Sequence, residues 1–183
     1  LAYLEITQRP LGISVVEDLL LFRDDVNAFR DLRPWMDSDS TIHLLSDLDL
    51  SSIPNWTPIV LHTNAMLFNE NNSSMAGVFN GNNHTISNLS ITQTSYRSAG
   101  LFGYVKKARI QDLTLDQSCS ITIVTDQYPT LSAGGICGTL LGGTISGCHF
   151  QGTIRLTGLS TTTATGGIAG EINTDVSHNA AVV

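Results

Sequence analysis

Positive charge is scarce in this sequence: nine Lys and Arg stand against sixteen Asp and Glu, a net charge of −7. A nucleic-acid partner requires a basic surface to neutralise phosphates, and anionic lipid attracts clustered Lys and Arg, so neither is expected as a partner. No apolar run approaches the roughly 18–20 residues of a membrane-spanning helix, so direct membrane insertion is not expected either. Cysteine is scarce too. Cys119, Cys137 and Cys148 make no disulfide framework, leave at least one thiol unpaired within the chain, and form no C-x-x-C pair of the kind that holds zinc. The five histidines (His43, His62, His84, His149, His178) include no H-x-x-x-H pair, so metallopeptidase chemistry is not expected in this segment. The opening "LAYLEITQRPLGISVVEDLLLF" has no initiator Met and no basic stretch before an apolar core, and the close "SHNAAVV" falls inside a pattern. A segment of a longer protein, without its own signal peptide, is the expectation.

What the chain does have is 42% hydrophobic residues, 16 glycines, and many Ser, Thr and Asn, the composition of short strands joined by tight turns. One helix is predicted, over about residues 16–33. Leu19, Phe22, Val26 and Phe29 recur on one face, Glu17 and Asp18 suit its amino end, and Pro34 stops it. Beyond it the period changes to two. Ile42 and Leu44, then Leu48 and Leu50, point one way, while Asp47 and Asp49 point the other; Trp56 and Ile59 are assigned to the core.

From residue 76 the chain repeats. "AGVF" (76–79), "AGLF" (99–102), "GGIC" (134–137) and "GGIA" (166–169) head successive units at offsets of 23, 35 and 32 residues. Each is followed by a second strand: "HTISNLSI", "ARIQDLTL", "GTISGCHF" and the start of another in "DVSHNAAV". A third pairs "CSITIVTD" with "GTIRLTGL", setting Ile121 over Ile154 and Ile123 over Leu156, while "QYPTLS" and "STTTAT" read as corner loops. Three short strands per repeat, with aliphatics at matching places, describe an all-β, right-handed parallel β-helix. Its glycines mark corners and places where a Cβ would crowd the next rung. The chain divides into an N-terminal cap with first strands (1–75) and β-helix repeats (76–183) that are expected to continue beyond residue 183.

"GLFGYV…IQDLTL" and "GGICG…TISGCHFQGTI" resemble the GLUG repeat of bacterial and protist surface proteins, also found beside the catalytic part of immunoglobulin-A-cleaving metallopeptidases. The run "LSDLDLSSIPNWTPI" with "GVFNGNNHTISNLSI" is similar to the segment that precedes such repeats, and the likeness spans roughly residues 22–183. The departures are Asn80-Gly81-Asn82-Asn83, where the family often has Asp-Gly-Asn-Gly, and Cys137 and Ala169, where a larger aliphatic is common. The resemblance implies a β-helical scaffold and no particular activity.

An enzyme on such a scaffold needs carboxylates on adjacent rungs, as an acid/base pair or around a metal. The repeat alignment gives Asn88, Asp112 and Gly147 in one column and Ser87, Gln111 and Ser146 in the column before it, so no carboxylate pair forms. Lys106, Lys107 and Arg109 face Leu141, Gly142 and Thr144, a solvated patch. Asp37, Asp39, Asp47 and Asp49 lack the Gly and terminal Glu of an EF-hand loop. Cys148 stacks on Leu113 as a small core residue, and "GNNHTIS" reads as a side-chain-bonded turn. No catalytic, cofactor-binding or metal-binding residue is assigned, and no cofactor is expected. Five N-x-Ser/Thr sequons, at Asn55, Asn71, Asn72, Asn83 and Asn88, are candidate N-glycosylation sites. The expectation is a non-catalytic extracellular or cell-surface scaffold or adhesion module. Its partners would be a host or neighbouring surface protein, a glycan, or further copies of itself. The alternatives are a fragment of a polysaccharide lyase or hydrolase, an accessory domain of a surface peptidase, and a filament subunit.

Overall fold

The computed structural model describes residues 11–61, 77–92, 97–124, 130–157 and 162–173. Helix α1 spans Val16–Asn27. At its amino end the Asp18 carboxylate accepts the free backbone N–H groups of Ser14 (3.0 Å) and Val15 (3.3 Å). Its carboxyl end closes well short of residue 33. Phe29 takes a left-handed φ of 56°, and the N–H groups of Phe29 and Arg30 donate back to the carbonyls of Val26 and Asp25. That is a Schellman closure with Phe in the place usually given to Gly. Phe29 therefore leaves the apolar stripe it was assigned to and lies 54% exposed. Pro34 sits instead in a short 3-10 turn, Arg33–Trp35, that returns Trp35 to the core. Leu19, Phe22 and Val26 face inward as their spacing required.

The rest is a β-solenoid of about three turns, all of its strands paired in parallel. Its first sheet carries the long strands β8 (Phe102–Gln111) and β12 (Cys137–Ser146), continued by β16 (Ala169–Asn173). Three shorter strands precede them: β1 (Thr41–His43), β3 (Ile59–Leu61) and β4 (Val78–Asn80). The second sheet stacks β2 (Leu48–Asp49), β5 (Thr85–Ser87), β9 (Thr114–Leu115) and β13 (His149–Phe150). The third holds β6 (Ser90–Ile91), β10 (Ser120–Val124) and β14 (Thr153–Thr157); the fourth holds β7 (Ser98–Ala99), β11 (Thr130–Gly134) and β15 (Thr162–Gly166).

A full rung thus has four strands, not three. Parts of "QYPTLS" and "STTTAT", taken as corner loops, lie in β11 and β15. Leu131 and Ala133 of β11 are buried, so this side of the rung contributes to the core. The later repeats keep the expected register: Ile110 pairs with Ile145, Leu115 with Phe150, Ile121 with Ile154, Ile123 with Leu156, and Cys137 with Ala169. Ile110, Leu113, Leu115 and Ile145 are buried, with Cys148 and Phe150 half-buried against them.

The first unit lies one strand away from the register that its sequence likeness indicates. Phe79 of "AGVF" pairs with Ile110, not Phe102, whose partner is Ile59. Ile86 consequently stacks on Leu115 and Ile91 on Ile121. The cause is a split strand: β3 and β4 lie side by side with the two halves of β8, and residues 62–76 fall between them. In β8 and β12 the chain runs straight through the same place on a left-handed residue, Lys107 (φ 55°) and Gly142 (φ 63°).

Two devices close the fold. At the tight corner between the fourth and first sheets, a Cβ on Gly138 would sit 2.7 Å from both Ala99 N and Gly103 O, so only glycine fits. At the capped end, the Asn27 side chain substitutes for a neighbouring strand along β3, accepting from Val60 N (2.8 Å) and donating to Pro58 O (3.1 Å). Phe22 then joins helix to core, with ring centroids 5.7 Å from Trp35 and 6.0 Å from Phe79, itself 5.1 Å from Phe102.

Asn27→Ala leaves the Val60 N–H without this partner and is expected to destabilise the fold by about 1–3 kcal/mol. Leu113→Ala, which opens a cavity between packed rungs, should cost about 2–5 kcal/mol. Urea unfolding of each variant measures both, and Phe150→Ala should cost clearly less than Phe102→Ala because Phe150 is only half-buried.

Candidate functional site

The outward polar groups concentrate where the first sheet turns into the second. In Gly81–His84 the chain reverses through two consecutive left-handed residues, Asn82 (φ 50°) and Asn83 (φ 62°), closed by His84 N donating to Gly81 O (2.8 Å). That is a type I′ turn, and Asn is the side-chain-bearing residue that best tolerates it. The departure from Asp-Gly-Asn-Gly therefore keeps a conventional tight turn. Asn80 Oδ1 accepts from Asn82 N (2.9 Å), and Asn82 Nδ2 donates to Leu44 O (2.9 Å) and to His43 Nδ1 (3.1 Å). His43 Nε2 then donates to Asp37 Oδ2 at 2.8 Å, which fixes its tautomer.

The acidic group is spread along this ladder. Asp37 accepts from the backbone of Asp39 and Thr41. Asp47 accepts from Thr85 N (2.8 Å) and His84 Nδ1 (3.1 Å), and Asp49 from Ser51 N and Asn88 Nδ2 (both 2.8 Å). These bonds hold each carboxyl below its ordinary range: Asp37 chiefly through His43, Asp47 through the Thr85 N–H, Asp49 through the Asn88 amide. Each of these three carboxylates, Asp37, Asp47 and Asp49, is a rung-to-rung or loop-closing tie. Among the described residues, no group of three or more His, Cys, Asp or Glu is placed to hold a metal ion.

The columns differ from those expected. Gln111 lies between Asn80 and Ser146, while Ser87 pairs with Asp49. Asn88 bonds Asp49 and the Ser118 hydroxyl and does not stack on Asp112. Asp112 and Gly147 do share a corner, with left-handed φ of 53° and 62°, and Gln111 Nε2 donates to Asp112 Oδ2 (3.1 Å). Lys106 and Arg109 pair with Leu141 and Thr144, as the spacing indicated. The three thiols are free; burial pushes Cys148 up to about 11 and raises Cys119 and, most of all, Cys137, so none is a thiolate at neutral pH. His149 is exposed on β13, and His62 and His178 lie outside the described residues.

Of the sequons, Asn55 is held by Thr92, its Oδ1 accepting from the backbone N–H (2.7 Å) and hydroxyl (3.1 Å), whereas Asn83 is exposed at its turn. Asn71 and Asn72 lie outside the described residues. The reading of "GNNHTIS" as a side-chain-bonded turn holds, but sequence reading missed the ties of Asn27 to β3 and of Asn82 to Leu44 and His43; the signals were an Asn in the last helical turn and an Asn-Asn pair.

The chain is similar to halomucin of Haloquadratum walsbyi, at 39% identity over 82 residues, 43% of this chain and 1% of halomucin. The chain thus spans a very small part of that relative. No family model matches the chain, and no solved structure matches it. No described helix is long and apolar enough to cross a membrane.

Carboxyls held low by native hydrogen bonds stabilise the fold above the unfolded carboxylate range and lose that effect as pH falls through their lowered folded values. The melting temperature is therefore expected to drop as pH falls below about 4, and Asp47→Asn with Asp49→Asn should flatten that drop. A thermal-melt series against pH measures both; an unchanged slope in the double variant refutes the role given to these ties.

Proposed function

We propose that the chain is a non-catalytic scaffold or adhesion module of a cell-surface or extracellular protein, built like GLUG-type repeats. The observation that carries this reading is the state of the outward carboxylates. Asp37, Asp47 and Asp49 are engaged with backbone N–H, His and Asn groups, so they stiffen the surface instead of standing as an acid/base pair across an open site. The similarity to a protein named halomucin supports a cell-surface setting. A stiff stack that fixes the spacing of its faces suits display and contact. Its partners are a neighbouring or host surface protein, a glycan, or further copies of the chain, with no cofactor and no nucleic acid.

The experiment is a turnover assay on acidic and neutral polysaccharides, with and without Ca²⁺, beside a binding assay on the same immobilised glycans. No product release is expected in any condition. Release from any glycan that Asp112→Ala abolishes would replace the scaffold reading with a polysaccharide-processing enzyme.

A further inference from the structure

We propose that Asn83 is an N-glycosylation acceptor on the folded protein, and that Asn55 and Asn88, which carry the same tripeptide signal, are not. The three sequons differ in what the fold has done with their middle and acceptor residues. In Asn55-Trp56-Thr57 the middle residue is Trp56, fully buried, its indole N–H donating to Leu101 O (3.0 Å) and its backbone N–H to Ser90 O (2.6 Å). In Asn88-Leu89-Ser90 the middle residue is Leu89, also fully buried, and the reacting atom itself, Asn88 Nδ2, donates to Asp49 Oδ1. Both tripeptides would have to be pulled out of the core to enter an enzyme cleft.

Asn83-His84-Thr85 has no buried residue. Asn83 is exposed at the tip of the type I′ turn, and the bonds that hold the sequon run through backbone and neighbouring side chains: Asn83 N donates to Asp112 O (2.8 Å), His84 N to Gly81 O (2.8 Å), His84 Nδ1 and Thr85 N to Asp47, and Asn80 and Asn82 bond beside them. The Asn83 side-chain amide lies outside those bonds. His84 is only half-buried, and Thr85 sits on the outer side of β5 beside the buried Ile86. A sugar on Nδ2 at this corner projects away from the stack without breaking a rung-to-rung tie.

The chemistry balances with a lipid-phosphate-linked oligosaccharide as co-reactant. Asn83 Nδ2 attacks the anomeric carbon, the N–C bond forms as the carbon–oxygen bond to the lipid phosphate breaks, the lipid phosphate leaves, and the nitrogen gives one proton to a base of the transferase. In the cell this modification rests on the exported setting proposed above. The test does not, so the two can fail separately.

The folded chain, with Asn71→Gln and Asn72→Gln to silence the remaining signals, is incubated with a purified oligosaccharyltransferase and a lipid-linked oligosaccharide. Glycopeptide mass spectrometry then reads each site. Occupancy at Asn83 is expected to exceed that at Asn55 or Asn88 by about tenfold or more, and unfolding the chain in advance should erase the difference. Thr85→Val, which removes the signal hydroxyl and keeps a β-branched residue in β5, should abolish modification while leaving the melting temperature close to the parent's; Thr85→Ser should restore it. Equal modification of Asn55 or Asn88 in the folded chain, or a bare Asn83, overturns the proposal.

Discussion

No rung of this molecule can bury its own inward side chains. A single turn of strands is one residue layer thick, and each aliphatic is covered only when the layers before and after supply matching groups about 4.8 Å away. Everything else follows from that dependence. The pairing is parallel because each strand must meet its counterpart one turn later, and buried columns run from rung to rung: Ile59, Phe102 and Cys137, or Phe79, Ile110 and Ile145. Burial falls along the stack. Phe150, Ile154 and Leu156 are half-buried, while their partners Leu115, Ile121 and Ile123 are almost fully enclosed.

The stack needs a different solution at the end where α1 lies. Helix α1 covers the first layer with Leu19, Phe22 and Val26, but a helix cannot continue a ladder of backbone hydrogen bonds. Along β3 the Asn27 side chain bridges the mismatch. The Asn27 amide has the same donor and acceptor as a peptide group, and it meets the edge of β3 with both. The same chemistry recurs on the corner between the first two sheets, where Asp47 and Asn82 reach across to adjacent segments, and on the next corner, where Asn88 reaches Asp49. Asn and Asp here do what backbone does inside a strand, holding a polar corner through side-chain hydrogen bonds.

This use of polar side chains also bears on function. A surface whose carboxylates are tied to N–H groups keeps its shape and offers contact, whereas acid/base catalysis needs a carboxyl held near a substrate and able to exchange a proton. A display role fits the first description. It also leaves the turn at Asn83 as a projecting point from which something can be hung without loosening the stack.

The periodicity of the aliphatics, the recurring glycines and the low charge together determine a parallel β-solenoid with one helix at its amino-terminal side. These are local properties: a period of two marks a strand, and a glycine between two such runs marks a bend. The register of the later rungs was legible because β8 and β12 are uninterrupted, so likeness in sequence coincided with likeness in space, but their fourth strands, β11 and β15, were not, because they fall where the sequence reads as loop. The first rung was not, because "AGVF" looks like "AGLF" while its real partner is "ARI", and only pairing across 62–76 separates the two. The helix end likewise depended on Phe29 taking a left-handed φ, which its apolar character does not announce. The roles of Asp47, Asn27 and Asn82 rest on partners more than thirty residues away. A sequence states which side chains can make such bonds; the tertiary structure decides which do, because the distance that matters runs between rungs and not along the chain.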